Sequence, residues 1–518
     1  MKRLTPYILA AAVCVPASCY KDLSTEATFE IPPIEVSSEE YPGDLINISY
    51  GQVLEISVDA VQEDRNPEDF EFFWEVDMVA GKPSDRIELG TEPAVSYQVA
   101  STPSDAPYNL SVRVTDTRTG YAVYKVWKMY VTSSLGEGLL VAHTRDGGKT
   151  SELDLVAAQN ITYGYTGAAP LYTRNLYSFA NSGEVLEGRV NAVTAFVGSD
   201  GAVFNVNKIR VATDAHLLSI DPLTYQVEKT DAELFNLATE TSFRTTAAFN
   251  FAAYQSGAIV NNSLYNVICN SDNKYSKVSF TDTPSNIFRP GNIAYGKLDQ
   301  SVLAVFDEVH EKFYYIYGWQ ASMGSFTYLE ANASFPLTGA RSIAGGCFNS
   351  STLGFVLQSA DGKYHVCTIK QGNTSLSFAD YDLDAPEIEN AVSFAFCDNA
   401  DLFYYATERS IYPVVISGGK AIVGAALTWA PDSSDEKITS IAQYIQGWLG
   451  THQYYMESYD FPLPTNRTQV ILTTYNEKTG EGKIYLRPFT ASTGRFTTRD
   501  NGTFGGFGEI TAIGSTLR

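Results

Sequence analysis

From residue 54 the chain begins to alternate. Leu54, Ile56 and Val58, then Phe70, Phe72, Trp74 and Val76, then Tyr108, Leu110, Val112 and Val114 place apolar side chains at every second position. Glu71, Glu75, Asn109, Ser111 and Arg113 fall between them and point the other way. A period of two belongs to a strand with one buried face and one wet face. Short strands at this spacing, joined by turn-rich connections, predict a β-sandwich of immunoglobulin size over residues 33–133.

Beyond residue 133 the pattern becomes a repeat. A short segment of small and apolar residues recurs at Val190–Ala195, Thr245–Ala248, Ile293-Ala294, Ile343-Ala344, Val392–Ala395, Ile438–Ala442 and Ile510–Gly514. Hairpin patterns follow six of these, at Ile209–Val227, Ala258–Ile268, Val302–Tyr317, Leu353–Ile369, Leu402–Ile416 and Val470–Phe489. The turns Ala360-Asp361-Gly362-Lys363 and Ser417-Gly418-Gly419 mark where two of them reverse.

The seventh segment ends the chain, and an unpartnered hairpin, Gly138–Val156, begins the region. Chain end and region start therefore have to build one sheet together. That is the closure of a seven-bladed β-propeller over residues 134–518, in which joining the last blade to the first removes the open sheet edge. Small residues suit the innermost strand of each blade, because blades crowd near the central axis. The competing reading is a run of unrelated hairpins in two sandwiches. The expected fold class is thus all-β, an immunoglobulin-like sandwich followed by a propeller.

Length and charge narrow the function. A chain of 518 residues exceeds one ordinary core, so more than one domain is expected. Its formal net charge of −23 repels phosphate backbones and excludes nucleic acid as a partner. There is no HExxH, GxSxG or phosphate-cradling glycine loop, and His143, His216, His310, His365 and His452 are scattered without ligand spacing. No cofactor and no metal centre are expected from these patterns.

The first residues set the location. Lys2-Arg3 precede an apolar run from Tyr7 to Val15 that is too short to span a bilayer, followed by Ala17-Ser18-Cys19. This describes a secretory signal over residues 1–18. Small residues directly before a cysteine resemble the lipobox of bacterial lipoproteins, which implies that Cys19 is acylated, with palmitate or a similar chain, and tethers the protein; ordinary secretion is the alternative. Tyr20-Lys21-Asp22 resembles the signal by which Bacteroidota send lipoproteins to the cell surface. Residues 19–32, rich in Ser, Thr, Glu and Pro, read as a tether. Tyr108–Asp116 is similar to the Y-x-V-x-L-x-V-x-D strand of PKD domains, with Trp74-Glu75-Val76 in place of their W-x-F strand, although the glycine-aspartate turn is missing after Asp77-Met78. Together these features resemble the PKD-like surface lipoproteins of Bacteroidota. The resemblance implies an outer-membrane, cell-surface location and a partner in a SusC/SusD-like, TonB-dependent nutrient importer.

Cys14 and Cys19 belong to signal and anchor. Cys269, Cys347, Cys367 and Cys397 remain, either as disulfides, which export permits, or as buried thiols.

Candidate chemistry lies at three places. The residues opening the recurring segments are Arg189, Arg244, Asn292, Arg341, Asn390, Lys437 and Glu509. Four cations at one mouth of the ring, in a strongly acidic chain, would bind an anion such as a peptide carboxylate or an acidic sugar, since arginine offers forked donors; the alternative is that strand ends are charged because they are wet. Two insertions carry aromatics, Tyr163, Tyr165, Tyr172 and Tyr177 in one, and Tyr444, Trp448, Tyr454, Tyr455, Tyr459 and Phe461 in the other. They form either a platform for a sugar or partner, with Trp448, Tyr454 and Tyr455 as candidate binding residues, or packing onto their own blades. Asp380, Asp382, Asp384 and Glu387 gather carboxylates that suit calcium, or simply form a solvated acidic loop. Thr144–Thr150 resembles the Asp-box turn of sialidase-like propellers, with Ser151 where the tryptophan should be; in that family the turn is structural.

These observations favour a non-catalytic accessory that binds a glycan or peptide, or docks on the importer. A propeller glycoside hydrolase would need a second carboxylate beside Glu509, and a purely structural subunit of the importer complex is the third reading.

Overall fold

The computed structural model describes residues 31–82, 84–104, 106–132, 138–162, 165–200, 203–236, 241–252, 255–267, 274–280, 288–296, 302–317, 325–349, 351–371, 375–445, 463–497 and 502–516. The signal segment and Cys19 lie outside them. The chain divides into two compact units, Met1–Thr132 and Ser133–Arg518.

In the first unit a five-stranded sheet runs in the order Leu45–Ser49, Ala122–Thr132, Tyr108–Asp116, Phe70–Asp77, Arg86–Gly90. Two pairs complete it: Val53–Ser57 with Ala94–Gln98, and Glu35–Ser37 with Asp59–Val61. The alternating residues meet in one core that holds Leu54, Ile56, Trp74, Val76, Leu110, Val112, Val114 and Trp127. Trp74 and Trp127 stack at 5.8 Å, and each indole N–H reaches a carbonyl, Trp74 that of Glu92 and Trp127 that of Tyr41. Burying two tryptophans costs little because both polar handles are satisfied. Ser111, which the alternation places on the wet face, is covered there, its hydroxyl donating to Glu75 at 3.3 Å.

The second unit is a β-propeller. Among the described residues seven antiparallel meanders follow one another, with innermost strands Val190–Asp200, Thr245–Ala252, Ile293–Gly296, Arg341–Phe348, Ser393–Phe396, Lys437–Gln443 and Glu509–Thr516. Every recurring segment becomes one of these. The last strand pairs antiparallel with Gly138–Thr144, with Leu140 opposite Gly514 and Thr144 opposite Glu509, and so closes the ring.

Crowding at the axis explains the small residues. A Cβ on Gly345 would stand 2.2 Å from the Ile293 carbonyl oxygen of the preceding blade, and one on Gly514 2.6 Å from that of Val193. Farther out, apolar side chains fill the wedges between blades: Leu140 and Ala142 of the closing blade pack with Val190, Val193 and Ile209 of the next. One short helix, Leu176–Ala180, departs from the all-strand expectation and buries Leu176 and Tyr177 in that same wedge.

Candidate functional site

Because each meander is antiparallel, its innermost strand begins at the end of the ring where its second strand turns into its third. The residues that open the inner strands therefore meet the carboxylates of those turns. Arg189 Nη2 lies 2.9 Å from Glu509 Oε1. Arg244 Nε lies 3.8 Å from Asp214, in the turn of the preceding blade. Lys437 Nζ lies 3.1 Å from Glu477 of its own blade and 3.5 Å from Glu408 of the preceding one. Arg341 is exposed and makes no ion pair with a described residue.

Asn292 is fully buried and carries no charge; its amide donates to Glu308, which also takes the backbone N–H of Ser342 in the following blade. Asn390 is exposed. At the mouth, carboxylates thus take up Arg189, Arg244 and Lys437, each with at least one partner from the preceding blade, while Arg341 makes no ion pair with a described residue. Exposed pairs of this kind contribute up to about 1 kcal/mol each.

The Asp-box-like turn sits against Arg189. Asp146 accepts the Lys149 and Thr150 N–H groups, both at 3.0 Å, and the Thr150 hydroxyl at 2.7 Å. The Thr150 bonds first, and the others with them, hold its carboxyl well below the usual range. Gly148 at φ 90° would bring a Cβ to 3.3 Å from that of Arg189. Ser151, in the tryptophan's position, is buried and donates to the Gly188 carbonyl at 2.8 Å, tying two blades.

The aromatic insertions divide. Tyr177 is buried in the wedge core, and Tyr172 lies under the Arg174 guanidinium at 4.2 Å. Tyr444 is fully buried. Trp448, Tyr454, Tyr455, Tyr459, Phe461 and Tyr163 lie outside the described residues.

The acidic cluster differs from the expected loop. Asp380 and Asp382 belong to the strand Leu376–Leu383, and each is engaged: Asp380 by the N–H of Ser334 at 3.0 Å, Asp382 by His365 at 3.1 Å. Glu387 accepts from Tyr412 at 3.0 Å. Asp380 and Asp382, two residues apart, share one face of that strand, and each meets its own neighbour there. Among the described residues no group of three or more His, Cys, Asp or Glu side chains is placed to hold a metal ion. Cys347, Cys367 and Cys397 are buried, and burial pushes the thiols of Cys367 and Cys397 up. Cys269 lies outside the described residues.

Sequence reasoning missed a regularity. Each described histidine stands beside an aspartate: His143 by Asp154, His216 by Asp231, His310 by Asp307, His365 by Asp382. Only the Asp307/His310 spacing is visible along the chain. Counting the closing blade, Gly138–Thr144 with Glu509–Thr516, as the first, two concavities among the described residues open between blades, one of about 950 Å³ between the sixth and seventh and one of about 310 Å³ between the fifth and sixth.

What these elements define is a β-propeller joined end to end, with a separate all-β unit ahead of it. No protein-family model matches the chain, and no curated protein matches it. Solved structures are similar to it only remotely. Hsv2 from Kluyvelomyces marxianus shares 8% identity over 69% of this chain and 92% of its own, at a TM-score of 0.35. The WD40 domain of SCAP from fission yeast shares 9% over 61% and 74%, at 0.34. A putative 6-phosphogluconolactonase from Bacteroides fragilis shares 9% over 88% and 100%, at 0.35. The propeller rests on the strand pairing, not on these likenesses.

Proposed function

We propose that the chain is a surface lipoprotein that serves a TonB-dependent SusC/SusD-like importer as a non-catalytic ligand-binding or docking accessory, its cargo a glycan or an oligopeptide. The observation that carries this reading is the run Ala17-Ser18-Cys19-Tyr20-Lys21-Asp22, placed ahead of an all-β unit and a ring closed by its own last strand. In this reading Cys19 carries the acyl anchor in the outer membrane and residues 19–32 form a flexible tether. The first unit is a divergent PKD-like domain, a reading supported by the alternating burial of Tyr108–Asp116.

Binding is favoured over hydrolysis by the state of Glu509. It is the one carboxylate among the residues that open the inner strands, and Arg189 holds it at 2.9 Å. A glycosidase needs two carboxylates flanking the scissile bond, and the strand starts supply one, already taken up in an ion pair.

Two measurements test the proposal. Growth on a clickable palmitate analogue should label the wild-type protein and leave Cys19→Ala unlabelled. Gentle solubilisation of the outer membrane should then recover a SusC/SusD-like pair with the tagged wild-type chain. A bare Cys19, or recovery of the chain without any importer component, would sink it.

A further inference from the structure

The trough between the sixth and seventh blades has walls of different character. One is the segment Gly424–Ala430, which leaves the outermost strand of the sixth blade, Lys420–Val423. It runs beside the strand Ile411–Ser417, held by Gly424 N–H to the Pro413 carbonyl and Leu427 N–H to the Ile411 carbonyl, both at 2.8 Å. Ala425, Ala426 and Thr428 are exposed, and their N–H groups make no hydrogen bond to a described residue. Gly424–Leu427 thus prolongs the open sheet edge of Lys420–Val423, which is a template for a further strand.

The opposite wall is the loop after Glu481–Pro488. Gly494 fixes it: its φ is 68°, its carbonyl accepts the Tyr404 hydroxyl at 2.8 Å, and a Cβ there would stand 2.5 Å from that of Pro413. Only glycine fits both that torsion and that approach. The wall is therefore set firmly against the sixth blade, and it presents Arg495 to the trough.

Charge separates this trough from the rest of the molecule. The chain has 59 acidic residues, yet the sixteen residues lining the trough include Arg487 and Arg495 and no carboxylate. Arg487 is buried, donating to the carbonyls of Trp429 and Leu486. Arg495 is exposed and makes no ion pair with a described residue. Val415, Ile422, Leu427 and Phe496 supply apolar surface. Phe496 is the single aromatic of the lining, and it packs against Tyr404 at 6.0 Å, so no flat platform is offered to a sugar ring.

We infer that this trough binds an extended acidic peptide segment, its backbone paired along Gly424–Thr428 and a carboxylate on Arg495. Main-chain pairing supplies affinity, and the arginine selects for acidic side chains at alternate positions. The inference rests on reading the chain as a non-catalytic binder. Its test uses the isolated chain, so failure of the trough and failure of the importer association are told apart.

The test is fluorescence anisotropy on the full-length chain with three probes: a short peptide alternating Glu with Val, its Lys-for-Glu counterpart, and an oligogalacturonate. The acidic peptide should bind, the basic one should not, and added salt should weaken binding. Arg495→Ala should weaken it by about tenfold, the loss of one charge-assisted pair. Ala426→Pro removes one edge donor and should weaken it as well. Both positions are exposed, so an unchanged melting temperature verifies that each variant is folded. The inference is overturned if the wild-type chain fails to bind the acidic peptide, if both variants bind it with unchanged affinity, or if the oligogalacturonate binds more tightly than the peptide.

Discussion

Glu509 is held twice: its carboxylate by Arg189 at 2.9 Å, and its backbone in register with Thr144. The first residue of the last strand thus joins the closing blade to the next one and locks the chain end against the start of the ring. Its neighbour Ile510 is buried at 3% exposure, whereas Arg189 keeps 36% of its side-chain surface. Burial should dominate. Ile510→Ala is expected to cost the propeller about 3 kcal/mol, from lost transfer energy and the cavity left behind, and Arg189→Ala less than about 1 kcal/mol. Denaturant titration of the propeller transition measures both, and an Arg189→Ala cost equal to that of Ile510→Ala would mean that the rim ion pair, not the wedge, fastens the ring.

The axis tolerates even less change. Gly345→Ala adds one methyl group at a site where the Ile293 oxygen would stand 2.2 Å away. The neighbour is backbone of another blade and cannot swing aside, so the two inner strands must separate. A loss of about 1–3 kcal/mol is expected, the range of overpacked cores. Gly362→Ala serves as control: its Cβ would meet nothing within 4 Å, and its cost comes from φ 85° alone. Equal melting temperatures for Gly345→Ala and the wild type would show that the inner strands are not in the contact described.

The same crowding explains which parts of the fold the sequence discloses. Inner strands must be small to approach one another, so Gly345, Gly514 and their equivalents leave a repeat legible by eye. Strand alternation likewise marks Trp74 and Val112 as core, because one face of that sheet is wet. The rim could be read only in part: Arg189, Arg244, Lys437 and Glu509 announce themselves at strand starts, but Asp214 and Glu408, which hold Arg244 and Lys437, become their neighbours only once the blades close on one another. Asp380 and Asp382 do share one strand face, but Ser334 and His365, the neighbours that meet them, come from other parts of the chain and are not visible in the sequence. The trough left no signal, since its walls come from two blades and its edge is defined by hydrogen bonds that are not made.

The second blade should carry a small pH dependence. His216 Nδ1 lies 2.7 Å from Asp231 and Nε2 3.4 Å from Glu187. Partial burial pulls the imidazole's pKa down, but the Asp231 bond and charge, with Glu187 adding to them, leave it raised above 6.5. A raised folded-state value means that the protonated ring stabilises the fold below the unfolded value of 6.5, and that this contribution is lost as pH climbs through the folded value. At 35% side-chain exposure the effect is a fraction of a kcal/mol after solvent screening. The wild type should therefore lead His216→Gln in melting temperature at about pH 5.5 and lose that lead by about pH 8.5. A difference that grows with pH would reverse the sign and reject the pairing.

Where the sixth blade hands over to the seventh, Glu436 is 2% exposed and takes the Tyr485 hydroxyl at 2.6 Å and the Thr474 hydroxyl at 3.0 Å, with Lys483 at 3.5 Å. The Asp432 N–H in turn donates to the Tyr485 oxygen at 3.1 Å, so one phenol fixes the incoming connection and satisfies a buried carboxylate. Burial first, and then the bond to Glu436, push that phenol far above its ordinary value, and no tyrosinate absorbance should arise from it before the fold melts. Tyr485→Phe leaves the ring's packing intact and removes one donor from a carboxylate that water cannot reach, for an expected loss of about 1–3 kcal/mol. Glu436→Gln removes the charge but keeps an acceptor. If the two groups act as one unit, the double variant should lose less than the sum of the single losses by more than about 0.5 kcal/mol. Additive losses would show that the phenol and the carboxylate stabilise this junction independently.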